Sequence, residues 1–148
     1  MLDHIPILLA EDDKNDIFLM RRAFDRARYL NPLCIVQNGR EVVDYLEGAG
    51  QFSQREKYPL PGLLLLDLKM PWMDGFDVLA WLHNRPCKEK LPVIVLTSSN
   101  QEKDIRQARE MGAEEYRVKP QQFEELIQIV KEVRDRWLNS ERKGHSGK

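Results

Sequence analysis

The sequence predicts an α/β fold, a doubly wound five-stranded parallel sheet with five helices. Short apolar runs alternate with longer amphipathic stretches, and the pattern recurs five times along the 148 residues. Alternation of this kind builds right-handed βαβ units. Runs such as Ile7-Leu8-Leu9 and Val93-Ile94-Val95-Leu96 are apolar at every position, as strands covered by helices on both faces must be. The length suits one domain that buries enough surface to need no disulfide or metal staple.

In chain order, the first strand is predicted at residues 5–10 and the first helix at 14–28, with Asp12 or Asp13 as its cap and Asn31-Pro32 beyond its end. The second strand (33–37) and helix (39–47) lead into a polar, Gly- and Pro-bearing loop at 48–61, a length typical of functional or mobile loops. The third strand spans 62–66, and the third helix, 75–84, stops at Arg85-Pro86. The fourth strand (93–96) precedes a helix at 101–111, which Met111-Gly112 ends as a C-terminal cap. The fifth strand is placed at 115–118 and the last helix at 121–138. On that helix Phe123, Leu126, Ile127, Val130, Val133 and Trp137 recur at spacings of three and four. This is foremost a core stripe, although Ile129 widens it enough to suggest a contact with a partner subunit. Residues 139–148 contain no apolar side chain and are expected to form a disordered tail, which leaves 1–138 as the domain.

Composition removes several function classes. Lys and Arg total 23 against 24 Asp and Glu, without the basic excess of a general nucleic-acid binder. No apolar run approaches the roughly 18–20 residues that span a bilayer, and the N-terminus lacks a basic segment followed by an apolar one. Cys34 and Cys87 stand alone, as expected in a reducing cytoplasm. The scattered His4, His83 and His145 supply neither a zinc site nor a histidine triad.

In open α/β sheets ligands bind beyond the C-terminal ends of the strands, at the switch point of the strand order. Glu11-Asp12-Asp13 follow the first strand, Asp67 and Lys69-Met70-Pro71 the third, Thr97-Ser98-Ser99 the fourth and Lys119-Pro120 the fifth. Singly, each has an ordinary explanation as a cap or a solvated loop residue, Thr97 included, as a cap for the fourth helix. Together, four strand ends supply complementary chemistry. Close carboxylates repel by about 1 kcal/mol per pair in water and about 4 at an intermediate dielectric, so the cluster must take up a proton or a cation. Oxygen ligands suit Mg²⁺. A carboxylate beside such an ion and a lysine can attack a phosphoryl group and form an aspartyl phosphate.

These residues stand in runs that resemble the receiver domain of two-component response regulators. The matching stretches are Ile7 to Asp13, Leu65 to Gly75 with its Asp-x-Lys-Met-Pro-x-Met-Asp-Gly pattern, Val95 to Ser98, and Gly112 to Pro120. The resemblance implies a flavodoxin-like sheet of order 2-1-3-4-5. It implies Asp67 as phosphoacceptor, with Glu11, Asp12, Asp67 and the backbone carbonyl of Lys69 holding Mg²⁺. Lys119 would bond the acyl phosphate, the Thr97 hydroxyl would swing onto it, and Tyr116 would be the aromatic switch that turns inward. Signalling would then pass through the face formed by the fourth helix, fifth strand and fifth helix. A histidine kinase is the implied donor, and the protein would be no enzyme beyond self-catalysed phosphotransfer and autodephosphorylation. With no room for a DNA-binding output domain in this length, a protein partner would receive the signal.

The long loop before the third strand, Trp72 and the Ala-Glu-Asp-Asp-x-x-Asp run at residues 10–16 are similar to stand-alone regulators paired with bacterial phytochrome-type histidine kinases. That subgroup implies homodimers through the fourth and fifth helices. Trp72 and Met73 flank the site and are expected either to dock a kinase's phosphohistidine helix bundle or to pack the loop. Ser98 replaces the smaller Ala usual in the family, which would tighten access to the phosphate. Three rival functions fit less well. An aspartyl phosphohydrolase would need a second acid two residues after its nucleophile, but Asp67-Leu68-Lys69 has none and Glu11-x-Asp13 is a poor match. A flavin mononucleotide carrier needs a hydroxyl- and Gly-rich loop after the first strand, where acids stand instead. A phosphate-independent adaptor would not need the full set Glu11, Asp12, Asp67, Thr97 and Lys119.

The resemblance to receiver domains would place Lys69 and Ser99 at that family's two variable positions, which tune dephosphorylation. Lys69, a flexible cation near the phosphate, is expected to slow water attack. Lys69→Asn should therefore shorten the phosphoryl half-life roughly two- to fivefold, the worth of an exposed charge contact. A longer half-life in the variant would contradict this role.

Overall fold

The computed structural model describes residues 4–138; the expected tail at 139–148 lies outside them. The elements run β1 (Ile7–Ala10), α1 (Lys14–Arg26), β2 (Leu33–Val36), α2 (Gly39–Glu47), β3 (Leu63–Leu66), α3 (Gly75–Leu82), β4 (Val93–Thr97), α4 (Glu102–Glu110), β5 (Glu115–Val118) and α5 (Phe123–Trp137). The strands form one parallel sheet in the order β2-β1-β3-β4-β5. Ala10 pairs with both Val36 and Leu66, Leu66 with Val95, and Thr97 with Val118, so the C-terminal ends of the five strands fall within two residues of level. The chain reverses its winding between β1 and β3, and this is where a crevice opens.

Alternate strand residues face opposite layers. Leu8, Ala10, Leu64, Leu66, Val93 and Val95 pack with Val42, Tyr45, Val78, Leu79 and Leu82 under α2 and α3. Ile7, Leu9, Leu63, Leu65, Ile94 and Leu96 pack with Met20, Ala23 and Phe24 of α1 and Leu126, Ile127, Val130 and Val133 of α5. The stripe on α5 is thus spent on the core, with Phe123, Ile129 and Trp137 half-buried at its margins. The Arg134 guanidinium donates to the Ala27 carbonyl and the Tyr29 hydroxyl to that of Val130, lashing the end of α1 to α5.

Most boundaries follow the sequence within two residues, and the differences have local causes. Helix α1 ends at Arg26 because Arg28 takes a left-handed conformation (φ 63°) and the Tyr29 amide turns back onto the Phe24 carbonyl. Asn84 (φ 65°) similarly follows the end of α3. Asp13 caps α1, its Oδ1 accepting from the Asp16 amide at 2.9 Å. Thr97 caps nothing: it is the last residue of β4, and the 3.4 Å contact from the Gln101 amide goes to Ser99 Oγ instead.

The segment at 48–61 is tied down. A 3₁₀ turn at Gly50–Phe52 buries Phe52 against Tyr45 and Tyr58, with ring centroids 5.0 and 5.2 Å apart. Arg55 donates to the carbonyls of Tyr45, Leu46 and Tyr58, satisfying groups that the end of α2 would leave unpaired. A second 3₁₀ turn, Pro86–Lys90, fills the approach to β4.

The β3–α3 connection places the acidic crevice. Asp74 and Asp77 form a reciprocal cap at the start of α3. Gly75 donates its N–H to the Leu68 carbonyl at 2.9 Å, and a Cβ on it would lie 2.5 Å from the carbonyl oxygen of Asp67. Only glycine lets α3 begin this close beneath Asp67.

Candidate functional site

Glu11 and Asp67 extend β1 and β3 by one residue each. Their amides continue the ladder, Glu11 to the Val36 carbonyl at 2.9 Å and Asp67 to the Ala10 carbonyl at 3.1 Å. Strand geometry thereby fixes both backbones, and both side chains are buried. Lys119, one residue beyond β5, is held by its amide on the Thr97 carbonyl at 2.8 Å. Its Nζ lies 2.7 Å from Glu11 Oε1, 2.7 Å from Asp16 Oδ2 and 3.0 Å from Asp67 Oδ2.

Glu11, Asp12 and Asp67 each offer an oxygen within 4.8 Å of the others. Burial raises the Glu11 carboxyl to about 7, with the Asp67 charge adding to the rise and the Lys119 hydrogen bond opposing it. Burial also disfavours the Lys119 ammonium, but the hydrogen bonds from it to Asp16 and Glu11 outweigh that and hold its pKa above the ordinary lysine value. The remaining Asp67 oxygen, Oδ1, accepts from the Lys69 amide at 3.3 Å, while the Lys69 side chain is exposed. A hard divalent cation suits three clustered carboxylates with room for water. The cleft beside them is about 460 Å³ and is lined by Asp12, Lys69, Asp74, Phe76, Ser99 and Asp104 among others.

Thr97 is fully buried at the end of β4, and its hydroxyl has no hydrogen-bond partner among the described residues. Such a group costs roughly 1–3 kcal/mol, and strained or orphaned polar atoms concentrate at functional sites. Tyr116 is buried as well, its hydroxyl donating to the Ser99 carbonyl at 2.9 Å, and burial pushes its pKa up. The structure thus holds Tyr116 turned inward. Ser98 points to solvent, whereas Ser99 is buried and donates its hydroxyl to Asp104 Oδ2 at 2.6 Å. Trp72 stands at the rim in a left-handed conformation (φ 67°) with 90% of its surface exposed, so it does not pack the loop. Met73 is half-buried, and its carbonyl accepts from the Gly39 amide at 2.7 Å.

The fold therefore brings Glu11, Asp12, Asp67, Thr97, Lys119, Lys69 and Ser99 to one end of the sheet, with Tyr116 beneath Ser99. Sequence reasoning gave no role to two further acids, Asp16 and Asp104. Asp16 lies one turn into α1, three residues after the cap, and Asp104 lies in the first turn of α4. Either passes for an acid favoured by a helix N-terminus, and only their partners set them apart.

A parallel sheet of order 2-1-3-4-5 between helical layers, with an acidic pocket at its switch point, defines the flavodoxin-like class of doubly wound proteins. The chain belongs to the response regulator receiver domain family, whose model matches residues 7–131. The probable methanogenesis regulatory protein FilR2 of Methanothrix harundinacea is 34% identical over 139 residues, 92% of this chain and 85% of FilR2. Response regulator Rcp1 of Synechocystis is 32% identical over 134 residues, 90% of this chain and 89% of Rcp1. The phosphorylated cyanobacterial phytochrome response regulator RcpA matches with a TM-score of 0.83 at 34% identity, over 93% of this chain and 96% of RcpA. The Mn²⁺-bound form of Rcp1 matches with a TM-score of 0.80 at 32% identity, over 91% of this chain and 95% of that one. The chain is thus similar to stand-alone phytochrome response regulators. Receiver domains bind Mg²⁺ at an acidic pocket and are generally non-enzymatic signalling proteins. No helix among the described residues is long and apolar enough to cross a membrane.

Replacing the Thr97 hydroxyl with a methyl group removes the unpartnered oxygen while keeping side-chain volume. Thr97→Val should therefore leave the protein as stable or raise its stability by about 1 kcal/mol, measured by urea denaturation without metal or phosphoryl donor. A loss above about 2 kcal/mol would show that the hydroxyl has a partner in the resting state.

Proposed function

We propose that this protein is a response regulator that accepts a phosphoryl group from a histidine kinase onto Asp67 in a Mg²⁺-dependent reaction in the cytoplasm. The observation that carries the reading is the convergence on Asp67 at the end of β3: two further carboxylates from the end of β1, a lysine from the end of β5, and from the end of β4 a buried threonine hydroxyl with no partner among the described residues. Glu11, Asp12, Asp67 and the backbone carbonyl of Lys69 would hold the ion. When bound, it supplies charge neutralisation that lets an anionic carboxylate approach an anionic phosphoryl group.

The chain's own residues do the rest. An Asp67 oxygen attacks phosphorus in line, the P–N bond to the kinase's phosphohistidine breaks, and its electron pair stays on the departing imidazole. The product is an acyl phosphate on Asp67. Lys119 is charged and within 3.0 Å of the Asp67 carboxylate, close enough to balance the phosphoryl oxygens as they arrive. The Thr97 hydroxyl gains the acceptor it lacks, which draws the end of β4 toward the phosphoryl group. Ser99, two residues on, carries the Tyr116 hydrogen bond, so a shift of β4 reaches Tyr116 and the face of α4, β5 and α5. That face would pass the signal to a protein partner and form a homodimer. The similarity to phytochrome regulators supports a phytochrome-type kinase as donor, with the exposed Trp72 in its docking surface.

With acetyl phosphate or a kinase in Mg²⁺, the wild type should take up one phosphoryl equivalent and Asp67→Asn none. Labelling of Asp67→Asn at one equivalent would place the acceptor elsewhere, and turnover of p-nitrophenyl phosphate through many cycles would favour a hydrolase. Beryllofluoride with Mg²⁺, a mimic of the acyl phosphate, should move the protein to an earlier gel-filtration volume. An unchanged elution volume would count against phosphorylation-linked dimerisation.

A further inference from the structure

Lys119 spends all three of its N–H donors on carboxylates, and the three differ in what phosphorylation does to them. Glu11 and Asp67 belong to the triad that suits a cation. A divalent ion competes for the Glu11 oxygens, and acylation removes the negative charge of the Asp67 carboxylate. Asp16, 2.7 Å from Nζ, belongs to neither process. With Lys119, Leu19, Met20 and Leu126 it lines a small cavity between α1 and α5.

We propose that Asp16 is a positioning residue for phosphotransfer, the anchor that keeps the Lys119 ammonium aimed at Asp67 when its other two carboxylates are drawn away. The inference rests on the reading of Asp67 as phosphoacceptor. Asp16 is itself held in place, its amide donating to the Asp13 side chain that caps α1. The position of the lysine is thereby referred to the first turn of α1, an element that takes no part in the chemistry. A free lysine side chain loses rotamer freedom when it engages an incoming group, and an anchored one has already lost much of it. Burial works against the charged amine, and the hydrogen bond to Asp16 is the largest of the contributions that outweigh it. The same pairing explains the acid at the end of the Ala-Glu-Asp-Asp-x-x-Asp run: residue 16 is one turn past Asp13, on the side of α1 that faces the end of β5.

The test is labelling of the full chain by acetyl phosphate over a concentration series in Mg²⁺, with Mg²⁺ affinity measured separately by calorimetry. Asp16→Ala should lower the maximal labelling rate about tenfold, the scale of a modest misplacement. The half-saturating acetyl phosphate concentration and the Mg²⁺ affinity should stay within about threefold, since the carboxylate triad is intact. Asp16→Asn, which keeps an acceptor oxygen for Nζ, should recover most of the rate. If Asp16→Ala does not fold, Asp16→Ser, without the reach to Nζ, replaces it in the same comparison. Wild-type rates in the truncated variant, a fall in rate matched by an equal loss of Mg²⁺ affinity, or no recovery in Asp16→Asn would each overturn the anchor. The wild type separates this from the underlying reading: if it labels at Asp67, only the role of Asp16 is at stake, and if it does not, the phosphoacceptor assignment fails first.

Discussion

Two buried carboxylates sharing one lysine form the interaction on which the rest of this structure depends. Glu11 and Asp67 sit side by side because β1 and β3 are neighbours in register, each ending one residue earlier. Burial of the carboxyl raises Glu11 to about 7, and repulsion from the Asp67 anion adds to the rise. Lys119 relieves it from β5 at the far side of the sheet. Binding a cation and binding a phosphoryl group are both ways of re-sharing charges that folding has already forced together.

The surrounding packing keeps that cluster from relaxing. Glu11 and Asp67 are continuations of hydrogen-bonded strands and cannot move apart without breaking the sheet. Below Asp67 the contact at Gly75 leaves no space for the backbone to sink. By contrast, the β4–α4 side is held by a few polar bonds: Ser99 to Asp104, Tyr116 to the Ser99 carbonyl, and nothing for the Thr97 hydroxyl among the described residues. The rigid half of the site carries the acids and the deformable half carries the hydroxyl. Under the proposed function, a charge change at Asp67 would act toward α4 and β5 rather than toward β1.

The rim has a similar division. The segment after α2, which composition alone reads as a mobile loop, is fastened by Arg55 and by Phe52 beneath Tyr45 and Tyr58. Trp72 is the opposite case, a large apolar side chain held in solvent by a turn whose Met73 carbonyl is bonded to Gly39. Binding surfaces are enriched in such aromatic groups.

Element order, the two-faced burial of the strands and the strand ends that carry the acids were all legible in the chain, because hydrophobic period and turn residues act locally. The Asp67 run and the Lys119-Pro120 pair identified the family for the same reason: each is contiguous. The sequence alone also narrowed the α1 cap to Asp12 or Asp13, since a cap bonds only three residues away, and the structure gives it to Asp13. The sequence could not show that Thr97 ends a strand with no hydrogen-bond partner for its hydroxyl among the described residues, that Ser99 turns to Asp104, or that Arg55 closes the end of α2. Nor could it single out Asp16 from the other acids of α1. Those facts depend on which side chains meet across the sheet: Lys119 and Asp16 are 103 residues apart in the chain and 2.7 Å apart in space. Only tertiary structure brings such groups together, because the contact depends on α1 packing against α5 over one end of the sheet and on no local rule.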